Sequence, residues 1–171
     1  YGYAITPQWR ATASVGTAFR APTLYQRFSQ YGVASLRPES ARNAELGLRY
    51  AQGDSSFSAV AYRNRVTNLI SFVGASACSP LQTQGCYANT ARAEYKGVTL
   101  AASHRLGPVQ LRGSLDLQRP RDLDTGKQLA RRAKHHGTFG ADTVVAGWTL
   151  GAEVQASGRR FDTVANTNVL G

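Results

Sequence analysis

Residues 9–19 read WRATASVGTAF, and this stretch decides the fold class. Apolar and aromatic side chains fill most of one set of alternate positions, from Trp9 to Phe19, while the other set contains Arg10 and Ser14. Successive side chains of a β-strand point to opposite faces of the sheet. Alternation over this length therefore predicts a β-strand with one apolar and one polar face.

The same pattern returns along the whole chain, so an all-β, antiparallel architecture of about seven to eight strands is expected. Further alternating runs lie at 43–50, 98–103, 109–118, 139–145 and 148–157, and a stub precedes residue 6. The run at 57–72 is less regular, and we expect a bend near Arg63 to Thr67. Short turns at 6–8, 52–55, 107–108 and 146–147 alternate with long loops at about 21–41, 73–90, 119–134 and from 159 onward.

Long loops at one end and tight turns at the other are typical of a transmembrane β-barrel of the bacterial outer membrane, with the long loops outside the cell. Trp9 and Phe19 lie on one face, about 23 Å apart along a tilted strand. This separation is close to the roughly 25 Å apolar band between the two aromatic girdles of such barrels. A soluble antiparallel sheet with one buried face is the alternative, but it leaves the charged residues on the opposite face of nearly every strand unexplained.

The charge balance is strongly basic, with a net charge of +10. Of the 20 basic residues only Lys96, Lys127 and Lys134 are lysines, so seventeen are arginines. The arginines are scattered rather than grouped into a stripe with interleaved aromatics, so nucleic acid is not expected as a partner. Arginine binds phosphate and carboxylate groups bidentately, which favours lipopolysaccharide phosphates or a phosphate-bearing ligand. The sequence contains no nucleophile elbow, phosphate-binding glycine loop or paired-histidine metal motif, so an enzyme is not expected.

Several segments resemble the TonB-dependent outer-membrane receptors. They read TAFRAPTL at 17–24, LRPES at 36–40, YRNRVTNLI at 62–70 and YAN at 87–89. The segment LARRAK at 129–134 resembles the cobalamin-receptor branch of that family. The resemblance implies a 22-stranded barrel around an N-terminal plug that carries the TonB box. Residues 1–171 would then form part of one barrel domain, and we expect the plug and the closing strands to lie outside this chain.

The resemblance also implies a function, namely TonB-energised uptake of vitamin B12 (cobalamin) across the outer membrane. The expected partners are cobalamin, TonB through the plug, and the lipid and lipopolysaccharide of the outer membrane. A ferric-siderophore receptor of the same family is the first alternative. A small complete barrel with a structural or adhesive role and a soluble β-rich binding module are the others. No cofactor is expected in this chain, and the calcium sites that similar cobalamin receptors use are expected in loops outside it.

Two residues are the candidate ligand contacts. Arg131 begins the segment RRAK, where a long loop re-enters the barrel, and the resemblance implies that an arginine there reaches the ligand. The alternative is that Arg131 only pairs with Asp122, Asp124 or a lipopolysaccharide phosphate. The related receptors place a tyrosine contact a few residues beyond Phe161, where this chain reads DTVA, so Phe161 is the candidate replacement.

Alternation also assigns faces to the strands. It predicts that Ala13, Val15, Leu111, Leu115, Leu150 and Val154 face lipid. It predicts that Arg112, Asp116, Glu153 and Gln155 face the lumen, where they contact the plug or pair with one another.

Cys78 and Cys86 lie eight residues apart in one long loop. A disulfide is expected because the outer surface of the cell is oxidising, while two cysteines fall short of the four ligands of a zinc site. His135 and His136 are neighbours on a strand and point to opposite faces, so they are not expected to share a metal ion. The segment DLDTG at 122–126 lacks the later ligands of a calcium loop. No metal site is therefore predicted.

Overall fold

The computed structural model of the chain describes residues 1–89, 92–163 and 165–171. Two expectations touch the remaining residues: Thr90 ends the expected loop at 73–90, and Val164 belongs to the stretch beyond Phe161. Both positions lie outside the described residues.

Twelve strands follow one another in the described part of the chain. They are β1 (Gly2–Ala4), β2 (Trp9–Arg20), β3 (Glu39–Gln52), β4 (Ser55–Thr67), β5 (Ile70–Val73), β6 (Cys86–Asn89), β7 (Ala93–Leu106), β8 (Val109–Asp122), β9 (His135–Val145), β10 (Trp148–Ser157), β11 (Arg160–Phe161) and β12 (Val169–Leu170). Eight of them form one antiparallel sheet in the order β1-β2-β3-β4-β7-β8-β9-β10. The pairs β5–β6 and β11–β12 form two small separate sheets at the loop end. The large sheet confirms the prediction of seven long strands and a short stub.

Directly paired residues share a face of the sheet, and the register groups the apolar positions together. Ala13 pairs with Leu46, Leu46 with Ala61, and Ala61 with Val98. We call the side of the sheet that carries these residues the apolar face. It also includes Val15, Leu48, Ala59, Leu100, Leu111, Leu115, Leu117, Phe139, Ala141, Leu150, Ala152 and Val154.

The apolar face is largely uncovered by protein. Val15 is 87% exposed and Val154 is 68% exposed. An exposed apolar surface of this extent needs an apolar environment, as the face of a membrane barrel has. The few buried apolar side chains in the described residues include Leu36, Ile70 and Leu129, which lie in or next to the long loops.

The connections are arranged as the sequence predicts. The short turns include Gly53, Gly107 and Gly147, whose φ angles are 54°, 58° and 81°. Glycine adopts this left-handed conformation without a Cβ penalty, which suits two-residue hairpin turns. All long loops leave the opposite end of the sheet. No helix in the described ranges has the length and apolarity needed to cross a membrane.

Three local expectations are wrong. Strand β4 continues without interruption through Arg63 and Arg65 to Thr67. The strand ends before Asn68, which has a φ of 56°. The loop expected at 119–134 begins only after Asp122, because β8 pairs with β7 to that residue. The loop expected at 21–41 contains a short helix, α1 (Leu24–Phe28), and gives way to β3 at Glu39. Thr23 and Gln26 cap α1 reciprocally, because each side chain binds the backbone N–H of the other residue.

Candidate functional site

The loop after β8 and the segment after β10 join into one unit, which contains both candidate ligand contacts. The backbone N–H of Arg131 donates to the carbonyl oxygen of Phe161 at 2.6 Å. The side-chain amide of Asn166 accepts from the N–H of Gln128 at 2.9 Å and donates to its carbonyl oxygen at 2.9 Å. We call this unit, residues 123–134 and 158–171 except 164, the Arg131 loop pair.

The backbone of Arg131 is held in place by a hydrogen bond, whereas its side chain is exposed. Its φ is 57°, a conformation that costs a non-glycine residue energy and needs support from its surroundings. Its Nε donates to Asp162 at 2.9 Å, while the side chain remains 74% exposed. Within the described residues the two terminal guanidinium nitrogens have no partner. Arg131 therefore presents an anchored guanidinium with unused donors.

Neither of the two carboxylates in the alternative interpretation of Arg131 pairs with it in the described residues. Asp124 instead pairs with Arg92, whose terminal nitrogen lies 2.8 Å from the carboxylate. Hydrogen bonds from the backbone N–H and then the guanidinium of Arg92 lower the pKa of the Asp124 carboxyl below its ordinary value. Asp122 accepts hydrogen bonds from the backbone N–H groups of Asp124 and Thr125. Asp162 directly follows β11 and lies 31 residues from Arg131 in sequence, so only the folding of the two loops against each other brings it to the guanidinium.

The four polar residues expected in the lumen share the face opposite the apolar one. Arg112 forms ion pairs with Asp142 and, at 3.6 Å, with Glu153. Gly140 pairs with both Arg112 and Glu153, so it lies between them. A Cβ at Gly140 would lie 3.1 Å from the Nε of Arg112. The absence of a side chain at Gly140 thus leaves space for the Arg112 side chain to cross β9 toward Glu153.

The other two polar residues are also paired. Asp116 accepts from the hydroxyl of Thr99 at 2.8 Å and from the hydroxyl of Tyr62 at 3.2 Å. The amide of Gln155 contacts the Nε2 of His136 at 3.0 Å. The four residues therefore find partners within the wall itself, although only Arg112 and Glu153 pair with each other.

A second loop unit lies beyond β2, β3 and β4. Of its contacts, only the disulfide is predicted from the sequence. Cys78 and Cys86 are bonded. The side-chain amide of Asn89 donates to the carbonyl oxygens of Arg37 and Asn68, which ties the two loops together. Rings from both loops make edge contacts at the centre of this unit; they belong to Tyr25, Tyr31, Phe72 and Tyr87. The four aromatic residues do not follow the two-residue period of a strand. In the sequence, the only sign of this cluster is that several aromatic residues lie in the same two loop segments.

No group of three or more histidine, cysteine or acidic side chains is placed to hold a metal ion within 1–89, 92–163 and 165–171.

An antiparallel sheet with an uncovered apolar face, a paired polar face, tight turns at one end and joined loops at the other defines a bacterial outer-membrane β-barrel segment. The chain belongs to the TonB-dependent receptor family, since the family model described as "TonB dependent receptor-like, beta-barrel" matches residues 1–171. Members of this family are receptors and transporters of the outer membrane rather than enzymes.

Three comparisons place the chain within that family. It is 34% identical over 170 residues to the vitamin B12 transporter BtuB of Vibrio cholerae, covering 97% of this chain and 26% of the relative. Among solved structures, it is similar to the copper transporter OprC, with a TM-score of 0.76, 20% identity, and coverage of 95% of this chain and 26% of that one. It is also similar to the siderophore receptor PirA from Acinetobacter baumannii, with a TM-score of 0.75, 17% identity, and coverage of 93% and 28%. The chain thus spans about a quarter of the length of its relatives.

Proposed function

We propose that this chain is the part of a receptor barrel that helps to capture cobalamin (vitamin B12) at the cell surface for TonB-energised uptake. The observation that carries the proposal is the anchored, exposed guanidinium of Arg131 in the Arg131 loop pair. Arg131 combines a fixed backbone with unpaired donors, as a contact to an external ligand requires.

The relationship to a named transporter supports the choice of ligand. The vitamin B12 transporter of Vibrio cholerae aligns with 97% of this chain at 34% identity. The copper and siderophore receptors are no more than 20% identical, so their similarity concerns the fold alone.

The chemistry of Arg131 suits cobalamin. Cobalamin carries amides, a phosphate and a ribose, and thus offers many hydrogen-bond acceptors. A guanidinium has five donors and keeps its charge at every physiological pH. Asp162 occupies the Nε donor and orients the group, which leaves the terminal nitrogens for the ligand. A charge-assisted hydrogen bond contributes about 1.5–3 kcal/mol, or roughly ten- to a hundredfold in affinity.

Phe161 has a supporting role in the proposal. It is half-buried, and its carbonyl oxygen holds the backbone of Arg131. Its backbone thus lies next to the proposed contact, and in the proposal its ring supplies an apolar surface to the ligand.

The two faces of the sheet would then serve the barrel. The apolar face contacts lipid. Arg112, Asp116, Glu153 and Gln155 line the lumen, where their pairing keeps the wall polar without leaving unpaired charge. TonB acts through a plug domain expected outside this chain.

The test is equilibrium binding of cobalamin to the full-length receptor with Arg131→Ala. The matched control is Arg119→Ala. It removes one exposed arginine from the apolar face of β8, outside the Arg131 loop pair. We expect at least a tenfold loss for Arg131→Ala and no change for the control. Equal affinities in wild type and Arg131→Ala would refute the role of Arg131. Binding of a ferric siderophore but not cobalamin by the wild type would refute the choice of ligand and leave the receptor class intact.

A further inference from the structure

An asparagine, Asn166, joins the two segments of the Arg131 loop pair. It is half-buried and has a φ of 60°, a left-handed conformation that asparagine adopts more readily than most other residues. Its side-chain amide accepts from the N–H of Gln128 and donates to the carbonyl oxygen of the same residue, both at 2.9 Å. Because an amide offers one acceptor and a donor group, as a peptide bond does, Asn166 satisfies both backbone groups of Gln128.

The turn that contains Asn166 fixes the direction of its amide. The backbone N–H of Asn166 donates to the carbonyl oxygen of Thr163 at 3.2 Å, and the side-chain nitrogen lies 3.3 Å from the same oxygen. The Nζ of Lys127 donates to the carbonyl oxygen of Ala165 at 3.3 Å. This bond adds a second link between the segments, next to the one that Asn166 makes.

Gln128 connects Asn166 to Arg131, which lies three residues further along the chain. The side-chain amide of Gln128 donates to the carbonyl oxygen of Arg132 at 2.5 Å, so this bond joins the residues on both sides of Arg131. Leu129 is buried, and its N–H donates to a carbonyl oxygen of β8 at 3.1 Å. Arg131 therefore lies in a short stretch whose two ends are held in place.

The conformation of Arg131 depends on this support. A φ of 57° costs a non-glycine residue energy and persists only when the surrounding contacts favour it. The N–H of Arg131 donates to Phe161 and its Nε donates to Asp162, and both acceptors belong to the segment that contains Asn166. If the two segments separate, Arg131 loses its backbone bond and its carboxylate partner together.

We infer that Asn166 is a positioning residue of the proposed ligand site. It joins the two segments and so keeps Arg131 in its binding conformation before a ligand arrives. In this role Asn166 acts through Arg131 rather than by contact with the ligand. A group that is already ordered binds more tightly, because binding does not have to supply the free energy of ordering it.

The inference deepens the cobalamin proposal and rests on it for the identity of the ligand. The coupling between Asn166 and Arg131 is a property of the loops themselves, so it is measurable in the receptor without any ligand.

The first test is equilibrium cobalamin binding to the full-length receptor with Asn166→Gly, alone and combined with Arg131→Ala. Glycine adopts the left-handed conformation at position 166 without a Cβ penalty, so this variant removes the amide and leaves the backbone conformation accessible. Loss of the two hydrogen bonds to Gln128 should weaken binding roughly tenfold. In the Arg131→Ala receptor the same change should weaken binding by less than about twofold, because the residue that Asn166 positions no longer contributes.

The matched control is Asn168→Gly. It makes the same substitution in the same segment, at an exposed asparagine whose side chain forms no hydrogen bond to any described residue. The control therefore reports the effect of an added glycine alone, and we expect it to bind cobalamin as the wild type does.

The second test needs no ligand. Hydrogen–deuterium exchange of the full-length receptor is measured over a peptide that covers residues 128–131. The N–H groups of Gln128 and Arg131 both donate to the other segment, so local opening of the loop pair controls their exchange. Exchange should be roughly tenfold faster in Asn166→Gly, in line with the two lost bonds, and unchanged in Asn168→Gly.

Three outcomes would overturn the inference. One is an equal loss of affinity for Asn166→Gly in the wild-type and Arg131→Ala receptors, because Asn166 would then act independently of Arg131. The others are wild-type exchange rates in Asn166→Gly and equal acceleration in Asn168→Gly. If the wild-type receptor binds no cobalamin, the choice of ligand is wrong, and the exchange experiment alone decides whether Asn166 positions Arg131.

Discussion

Replacing Leu115 by arginine tests the assignment of the apolar face to lipid. Leu115 lies in the middle of β8, paired with Leu100 on one side and Gly137 on the other. It precedes Arg119, an exposed basic residue on the same face of β8 nearer the long loops, by four residues. Four residues correspond to about 9 Å of depth for a strand tilted by roughly 45°. Its side chain therefore lies well inside the apolar band. An arginine near the midplane of the bilayer costs about 2–4 kcal/mol.

This cost corresponds to a change of roughly thirtyfold to a thousandfold in the folding equilibrium. The assay is denaturant unfolding of the full-length protein in lipid vesicles, with Ser114→Arg as the matched control. Ser114 is the preceding residue on the polar face and makes one side-chain hydrogen bond, to Thr138. We expect Leu115→Arg to be clearly the more destabilising of the two. Equal losses, or a larger loss for Ser114→Arg, would refute the face assignment.

Two predictions concern the loops. Thiol labelling of intact cells should detect Cys78 and Cys86 only after reduction. Because Cys86 is 3% exposed and Cys78 is half-buried, Cys86→Ser should leave the Cys78 thiol open to labelling without reductant. Labelling of the wild type without reductant would contradict the extracellular disulfide. The Asp124 carboxyl should titrate below the ordinary aspartate value of about 3.9 in a ¹³C NMR experiment on the full-length receptor, and Arg92→Gln should raise its pKa toward that value. Because the folded pKa is lowered, the loop contact is fully stabilising above the ordinary aspartate pKa and is lost as the pH falls through the folded pKa. An unchanged titration in Arg92→Gln would contradict the assigned cause.

The strands were predictable because alternation is a local property. The alternating pattern predicts that Ala13 and Leu46 lie on the same face, because a one-residue slip would reverse the face. Their exact pairing is a property of the register, which the long loop between β2 and β3 does not determine. The sequence predicts a bend near Arg63 to Thr67, before the position where the strand ends. The reason is that the basic residues at 63 and 65 interrupt the apolar alternation without ending the strand. Arg63 and Arg65 instead form ion pairs with Glu94 of neighbouring β7, and β4 stays paired with β7 through both residues.

The candidate site was only partly predictable. The resemblance of residues 129–134 to a receptor segment indicated Arg131, but nothing in the sequence paired it with Asp162, which lies 31 residues away. The hydrogen bonds between Asn166 and Gln128 are equally nonlocal, since they depend on two loops folding against each other. Contacts of this kind depend on loop conformation, which strand periodicity does not determine.

The most direct measurement of the central claim is cobalamin uptake by cells that lack their own cobalamin receptor and express the full-length protein. Uptake at nanomolar cobalamin should appear with the wild-type receptor, disappear when TonB is removed, and fall at least tenfold with Arg131→Ala at equal surface expression. Uptake that persists without TonB, or no cobalamin uptake by a correctly inserted receptor, would contradict the account.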